Sequence, residues 1–315
     1  MDERQRPLAV LFTQERKGAA RYLLARGTIG LPSLPLYLRT VPGAALLCVA
    51  PPLLARLLGR LGWRRAMHRV ERSWARAVRR YLRLRLDLEG LEHIESGRSY
   101  VVVSLHEGFA DILALLHLPL DLRFVARDEL FGWRFLGPYL RDTGQIEICP
   151  ERGLWSFRRL LRETSRMLAE DESLVIFPQG SILGIETAFL SGAFVLARAL
   201  RRPILPVALT GSHRVWEYPY TPLLRYGQRI SLRVLPPIPV ELVTSCDPQE
   251  LRDTVQQQLK AEALSGTMAP PRRFVPTRDG YWDGYAYAID PAFPELAADI
   301  ERHRRQETTD RQHPS

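Results

Sequence analysis

Residues Tyr100 to Asp111 read YVVVSLHEGFAD. The first five form a short β-branched run with no polar alternation, the pattern of a strand buried on both faces. The chain then turns polar at His106, and Asp111 follows five residues later, where the apolar pattern of Ile112 to His117 predicts a helix. A strand buried on both faces and followed by a helix fits a sheet covered on both sides.

The same alternation of strand and helix continues in both directions. Leu82, Leu84, Leu86 and Leu88 alternate with charged residues until Gly90, which predicts a half-buried strand. Downstream, strands are expected at Asp121 to Ala126, Gln145 to Cys149, Leu174 to Phe177, Pro203 to Leu209 and Ile230 to Leu235. Helices are expected at Leu154 to Glu170, Ala193 to Leu200 and Pro248 to Leu264. The predicted class is α/β, a mixed and mainly parallel sheet covered by helices. The composition divides the chain into 1–81, an N-terminal membrane-associating helical region, 82–268, the α/β domain, and 269–315, an extension of unread role.

Of the 315 residues, 46% are hydrophobic and 25% charged, which excludes a disordered chain. Cys48, Cys149 and Cys246 lie far apart, so neither a disulfide scaffold nor a cysteine-built zinc site is expected. The net charge is +9, and the stretch Arg56 to Arg80 holds nine arginines against the single acid Glu71, so it carries almost all of it. Within it Trp63, Met67, Val70, Trp74, Val78 and Tyr81 recur at helical spacing. Two readings fit: a core helix with a solvated basic side, or a helix lying on anionic lipid. In the second, Trp63 and Trp74 sit at the interface while Arg72, Arg76, Arg79 and Arg80 meet headgroups. The sixteen uncharged residues 40–55, TVPGAALLCVAPPLLA, precede the helix and favour the membrane. They fall short of the roughly 20 needed to span, and Pro51-Pro52 suggests an interfacial or re-entrant hairpin. Met1 to Gly27 is polar and carries no secretory signal. Nucleic acid is the rival partner for such a basic face, but the chain has no zinc-finger, RNA-recognition or helix-turn-helix pattern.

Chemistry is expected at the carboxyl ends of the buried strands. There a histidine followed at five residues by a carboxylate can form a hydrogen-bonded pair, in which the carboxylate fixes the imidazole tautomer for proton abstraction. A surface histidine and a helix-start aspartate give the same spacing. Phe177-Pro178-Gln179-Gly180-Ser181 also leaves a buried strand, and its proline and glycine predict a sharp turn that presents backbone N–H groups. No serine-hydrolase elbow or nucleotide-binding glycine motif accompanies it, and no spacing suggests a metal site.

Four blocks in this order resemble the glycerophospholipid acyltransferase family, which includes the lysophosphatidate acyltransferases: LHEGFAD (Leu105 to Asp111), GQIEICPER (Gly144 to Arg152), FPQGSI (Phe177 to Ile182) and ILPVAL (Ile204 to Leu209). The resemblance covers roughly residues 83–240. It implies that His106 is the general base and Asp111 its partner. It further implies that Arg127, Arg152, Gln179, Gly180 and Ser181 bind substrate. The pattern departs from the family at Leu105 (Asn in the family), Gln179 (Glu), Ser181 (Thr) and Ile182 (Arg), and in block two at Cys149 and Pro150. The implied reaction moves a fatty acyl group from acyl-CoA or acyl carrier protein to the hydroxyl of a lysophospholipid. 1-Acyl-glycerol-3-phosphate is the first acceptor to test. A neutral or zwitterionic lyso-lipid, or a non-catalytic lipid-binding relative, is the alternative. No cofactor or metal is required, the partners are membrane lipid and the acyl carrier, and the expected place is the cytoplasmic face of the cell membrane, peripheral or monotopic.

Overall fold

The computed structural model describes residues 34–149, 153–168, 171–216, 225–274 and 287–298 apart from 297. Seven strands form its sheet: β1 (Arg85–Glu89), β2 (Val101–Ser104), β3 (Leu122–Arg127), β4 (Ile146–Ile148), β5 (Ser173–Ile176), β6 (Ile204–Thr210) and β7 (Arg229–Val234). Their spatial order is β1-β7-β6-β2-β5-β3-β4. Every neighbouring pair is parallel except β6 with β7. The YVVVS strand is therefore central, paired with β5 at Val103–Ile176 and with β6 at Ser104–Val207.

Successive side chains of β2 enter opposite layers, as strand geometry requires. Tyr100 and Val102 join a cluster with Ala75, Val78, Ala114 and Leu115. Val101 and Val103 join one with Phe194, Ala197, Val255 and Leu259. The first layer is built by helices α2 (Arg64–Tyr81) and α3 (Ala110–Leu115), and the second by α7 (Gly192–Leu200) and α9 (Pro248–Leu264). Between them in the chain lie α4 (Asp128–Phe131), α5 (Leu136–Asp142) and α6 (Gly153–Leu168), and α8 (Val240–Ser245) precedes α9. The helices α4, α5 and α8 are under two turns long, too short to leave a readable period in the sequence.

Two expectations are corrected. The leucine alternation that predicts a strand from Leu82 starts three residues too early, because the helix before it captures the first residues: the N–H of Leu82 bonds Val78 O at 2.9 Å, and Arg83 turns the chain at φ 53°. The strand proper begins at Arg85. The segment 40–55 is not a hairpin either, since α1 (Leu34–Arg60) runs unbroken through Pro51 and Pro52. It is fastened to the body by Arg56 and Arg60, which hold the Asp142 carboxylate at 2.7 and 3.0 Å. At Gly59 the helix backbone presses so closely on the carbonyl of Asp142 that a Cβ would stand 2.1 Å from its oxygen.

The apolar stripe of α2 turns inward. Met67, Ala75 and Val78 are buried, and Trp74 is half-buried with its indole N–H on Leu47 O at 2.8 Å. Arg72 ion-pairs with Asp121 rather than facing lipid, whereas Arg76 and Arg80 are exposed and Arg79 is half-exposed. This is the core-helix reading of that stretch. Trp63 alone of the two tryptophans is exposed, at 61%. A buried polar cluster ties α2 to the sheet. His68 bonds Glu172 at 2.6 Å and Glu71 at 3.1 Å, Arg123 of β3 pairs with Glu172, and the Tyr139 hydroxyl donates to Glu71 at 2.6 Å.

The described residues past 268 pack on the domain as well. Phe274, Tyr287 and Ile289 form a small core with Leu183, and the buried Lys260 of α9 bonds Asp290 at 2.6 Å.

Candidate active site

Adjacent parallel strands end on the same edge of a sheet, and here that edge gathers the exits of β2, β5 and β6. Block one leaves β2, the proline-glycine turn leaves β5, and Gly211-Ser212-His213 leaves β6. The sheet order, not the sequence, makes these three loops neighbours.

The histidine and aspartate of block one meet. The His106 Nδ1 lies 2.6 Å from Asp111 Oδ2. Asp111 is fully buried, at 0% exposure. A lone buried carboxylate would be costly, but this one is surrounded by donors: the N–H groups of Glu107 at 2.8 Å and Gly108 at 3.0 Å, and the Ser212 hydroxyl. With the carboxylate on Nδ1, the neutral imidazole carries its proton there and presents Nε2 as a lone pair. Among the described residues Nε2 has no hydrogen-bond partner. The imidazole is stacked on the Phe177 ring, centroids 4.0 Å apart and planes 14° from parallel, which fixes its orientation from the β5 side.

Gln179 differs from its expected role. It is buried, and both ends of its amide are used: Oε1 accepts the His106 N–H at 2.7 Å, and Nε2 donates to Gly184 O at 2.7 Å. It braces the two loops instead of offering a group to substrate. This also gives the physical reason for an amide where the family has a glutamate, since a carboxylate would oppose the Gly184 carbonyl with a second acceptor. Gly180 has φ 66°, a left-handed turn that suits glycine. Ser181 is buried, and its hydroxyl has no partner among the described residues. An unspent buried donor in the turn that follows β5 is a group a ligand can use.

Arg127 ends β3, the strand next to β5, on the same edge of the sheet. Its Nε stands 3.6 Å from Glu129. Arg152 lies outside the described residues. Three further residues join the site without having been singled out in the sequence: Glu107, Ser212 and His213, the last with Nδ1 2.9 Å from Glu107 Oε2. The available signal was positional, because Gly211-Ser212-His213 directly follows a buried strand, as the other two loops do. Around Phe109, aromatic rings of Trp216 and Trp133 lie at 5.2 and 6.2 Å, an apolar wall beside the polar dyad.

Residues 85–210 match the Acyltransferase family model. The chain is 28% identical over 179 residues to the human 1-acyl-sn-glycerol-3-phosphate acyltransferase alpha, covering 56% of this chain and 62% of that protein. It is 25% identical over 122 residues to the 1-acyl-sn-glycerol-3-phosphate acyltransferase of Bacillus subtilis, 38% of this chain and 60% of the relative. The chain thus spans about three-fifths of the length of these curated relatives. In fold it is similar to the crystal structure of the 1-acyl-sn-glycerophosphate acyltransferase of Thermotoga maritima, with a TM-score of 0.60 at 21% identity, covering 75% of this chain and 97% of that one.

Proposed function

We propose that this chain, whose residues 85–210 match the Acyltransferase family model, transfers a fatty acyl group from a thioester carrier to the hydroxyl of a lysophospholipid, with 1-acyl-glycerol-3-phosphate the leading acceptor. The observation that carries the reading is the 2.6 Å bond between His106 Nδ1 and the buried Asp111. Nε2 of His106 takes the proton of the acceptor hydroxyl as its oxygen attacks the thioester carbonyl. The tetrahedral adduct then expels the carrier's thiolate, which receives that proton from the imidazolium, and Asp111 stabilises the cation in between. A thiolate is a good leaving group, so neither a metal nor a covalent acyl-enzyme is required. The aromatic wall at Phe109 suits a hydrocarbon chain, and the Ser181 hydroxyl, without a partner among the described residues, suits a polar substrate oxygen.

The acceptor's phosphate needs a cation, since burying about −1.5 to −2 charges unpaired is costly. With Ile182 where the family has an arginine, the cation is assigned to Arg127 on the neighbouring strand. The test compares rates for lysophosphatidate and for its dephosphorylated monoacylglycerol, read as carrier thiol released. Wild type should prefer lysophosphatidate, and Arg127→Ala should lower that preference roughly tenfold or more, the worth of one charge-assisted contact. A wild-type preference for the neutral acceptor would replace the phosphate reading with that of a neutral lyso-lipid.

Membrane contact is assigned to α1. Among the described residues no helix is long and apolar enough to cross a membrane. Yet Leu46, Val49, Leu53 and Leu57 recur along one side of α1 and are about half or more exposed, with Leu61 and Trp63 continuing the ridge. An exposed leucine ridge beside the exposed Arg65 and Arg69 fits the interface of an anionic bilayer. We place it on the cytoplasmic face, where the acyl carriers are. Burying a leucine is worth about 1.5–3 kcal/mol. Leu53→Asp with Leu57→Asp should therefore weaken binding to vesicles containing anionic lipid by about 100-fold or more. Unchanged co-sedimentation would move the contact elsewhere.

A further inference from the structure

The carboxylate next to the candidate base has no task in the proton transfer, yet it is heavily engaged. Glu107 is 5% exposed. Its Oε2 accepts from Gly211 N at 2.7 Å and from His213 Nδ1 at 2.9 Å, and its Oε1 accepts from Arg272 N at 2.8 Å. A buried carboxylate persists only where its lone pairs are satisfied, and here three donors from two distant parts of the chain do so.

Those parts reach the rest of the site. Ser212, between two of the donors, bonds Asp111, and the backbone N–H of Glu107 itself bonds Asp111 Oδ2. A turn of residue 107 is thus felt at the atom that holds the His106 ring. The loop lies alongside the turn after β6, where a Cβ on Gly108 would meet Trp216 O at an ordinary contact distance of 3.4 Å. On the far side, Arg272 O accepts from Ile185 N at 3.0 Å and its guanidinium bonds Leu183 O. Phe274 N then bonds Glu186 at 2.8 Å, and Ala188 N bonds Ala288 O at 2.7 Å. The C-terminal segment is therefore laced to residues 183–188, directly after the Phe177–Ser181 turn.

We propose that Glu107 is a positioning residue of the transfer reaction: its carboxylate joins the His106–Asp111 loop, the Gly211–His213 turn and the C-terminal segment at Arg272 into one frame that holds the imidazole against the acyl carbonyl. The inference rests on the transfer reading above. Glu107 acts through Asp111 and touches no substrate. Displacing a reacting group by about 1 Å can cost 10²-fold in rate. Glutamine at 107 keeps the shape but turns one acceptor into a donor that opposes an N–H.

The experiment measures kcat and KM for Glu107→Gln, His213→Ala and the double variant, with unfolding curves for each. Glu107→Gln should lower kcat about 10- to 100-fold and leave both KM values within about twofold. His213→Ala should cost less, and the double variant should be no slower than Glu107→Gln alone, because both act through one carboxylate. Two results would overturn the proposal: a folded Glu107→Gln with wild-type kcat, or losses that simply multiply. Should Glu107→Gln fail to fold, His213→Ala decides, by lowered kcat at unchanged KM or by no change. A wild type that releases no thiol with any lyso-lipid refutes the transfer reading instead. Amide exchange then tests the frame: Glu107→Gln should lose protection at both 106–111 and 271–274, and unchanged protection at either would overturn it.

Discussion

Replacing His106 with alanine is expected to lower acyl transfer about 10²- to 10⁴-fold, the usual worth of a general base, while leaving the fold intact. The side chain is about one-fifth exposed and its ring stacks on the half-buried Phe177, so the substitution opens little core. The hydrogen bond from the His106 backbone to Gln179 is kept. Asp111→Asn should come close to the same loss by another route. The amide cannot hold Nδ1 protonated while also accepting the N–H groups of Glu107 and Gly108 and the Ser212 hydroxyl, so the imidazole loses its tautomer and the loop its centre. Thiol release by purified variants measures both. A His106→Ala enzyme within a fewfold of wild type would sink the assignment of the base.

His68→Leu is expected to give the largest loss of stability. Removing the shared partner leaves Glu71 and Glu172 buried, with Tyr139 and Arg123 as the remaining groups around them. Breaking a buried charged cluster by one member typically costs about 3–5 kcal/mol, a fall in melting temperature on the order of 10 °C for a domain of this size. The same cluster makes stability depend on pH. Burial pushes the His68 pKa down, but the hydrogen bonds and charges of Glu172 and Glu71 outweigh it and raise the pKa to about 9. Because the folded value lies above the unfolded one of about 6.5, the protonated imidazolium stabilises the fold fully below pH 6.5. That contribution, about 3 kcal/mol, fades as pH climbs through the folded value. Denaturant unfolding from pH 6 to 10 should therefore show a wild-type decline between about pH 6.5 and 9 that His68→Leu lacks. Parallel curves for the two proteins would mean that His68 carries no proton in the fold.

The arginine-rich stretch fits two environments equally well until its packing is known. Its apolar stripe and its charges were both plain in the sequence, and a helix was expected there. Which side of it met lipid was not decided by periodicity, because a stripe of Met67, Trp74 and Val78 fits a bilayer or a core equally well. Burial of Met67, Ala75 and Val78 in the core settles it, with Arg72 paired to Asp121 and Arg65, Arg69, Arg76 and Arg80 left exposed, while the exposed leucines lie on α1. Pro51-Pro52 likewise predicts a break, yet α1 runs on through both prolines.

By itself the sequence determined the α/β class, nearly every strand, and the two loops that carry His106, Asp111 and the Phe177–Ser181 turn. These are local signals: a β-branched run, a helical period or a proline-glycine turn is set by residues a few positions apart. Tertiary structure alone decided what holds those loops. Gln179 reaches back 73 residues to the His106 N–H, Ser212 bonds Asp111 across 101, and Arg272 closes on Glu107 across 165. No propensity or spacing encodes such pairs, because each is a polar group that finds its partner only once the sheet order places β6 and β5 on either side of β2 and burial makes an unmet hydrogen bond too costly to leave.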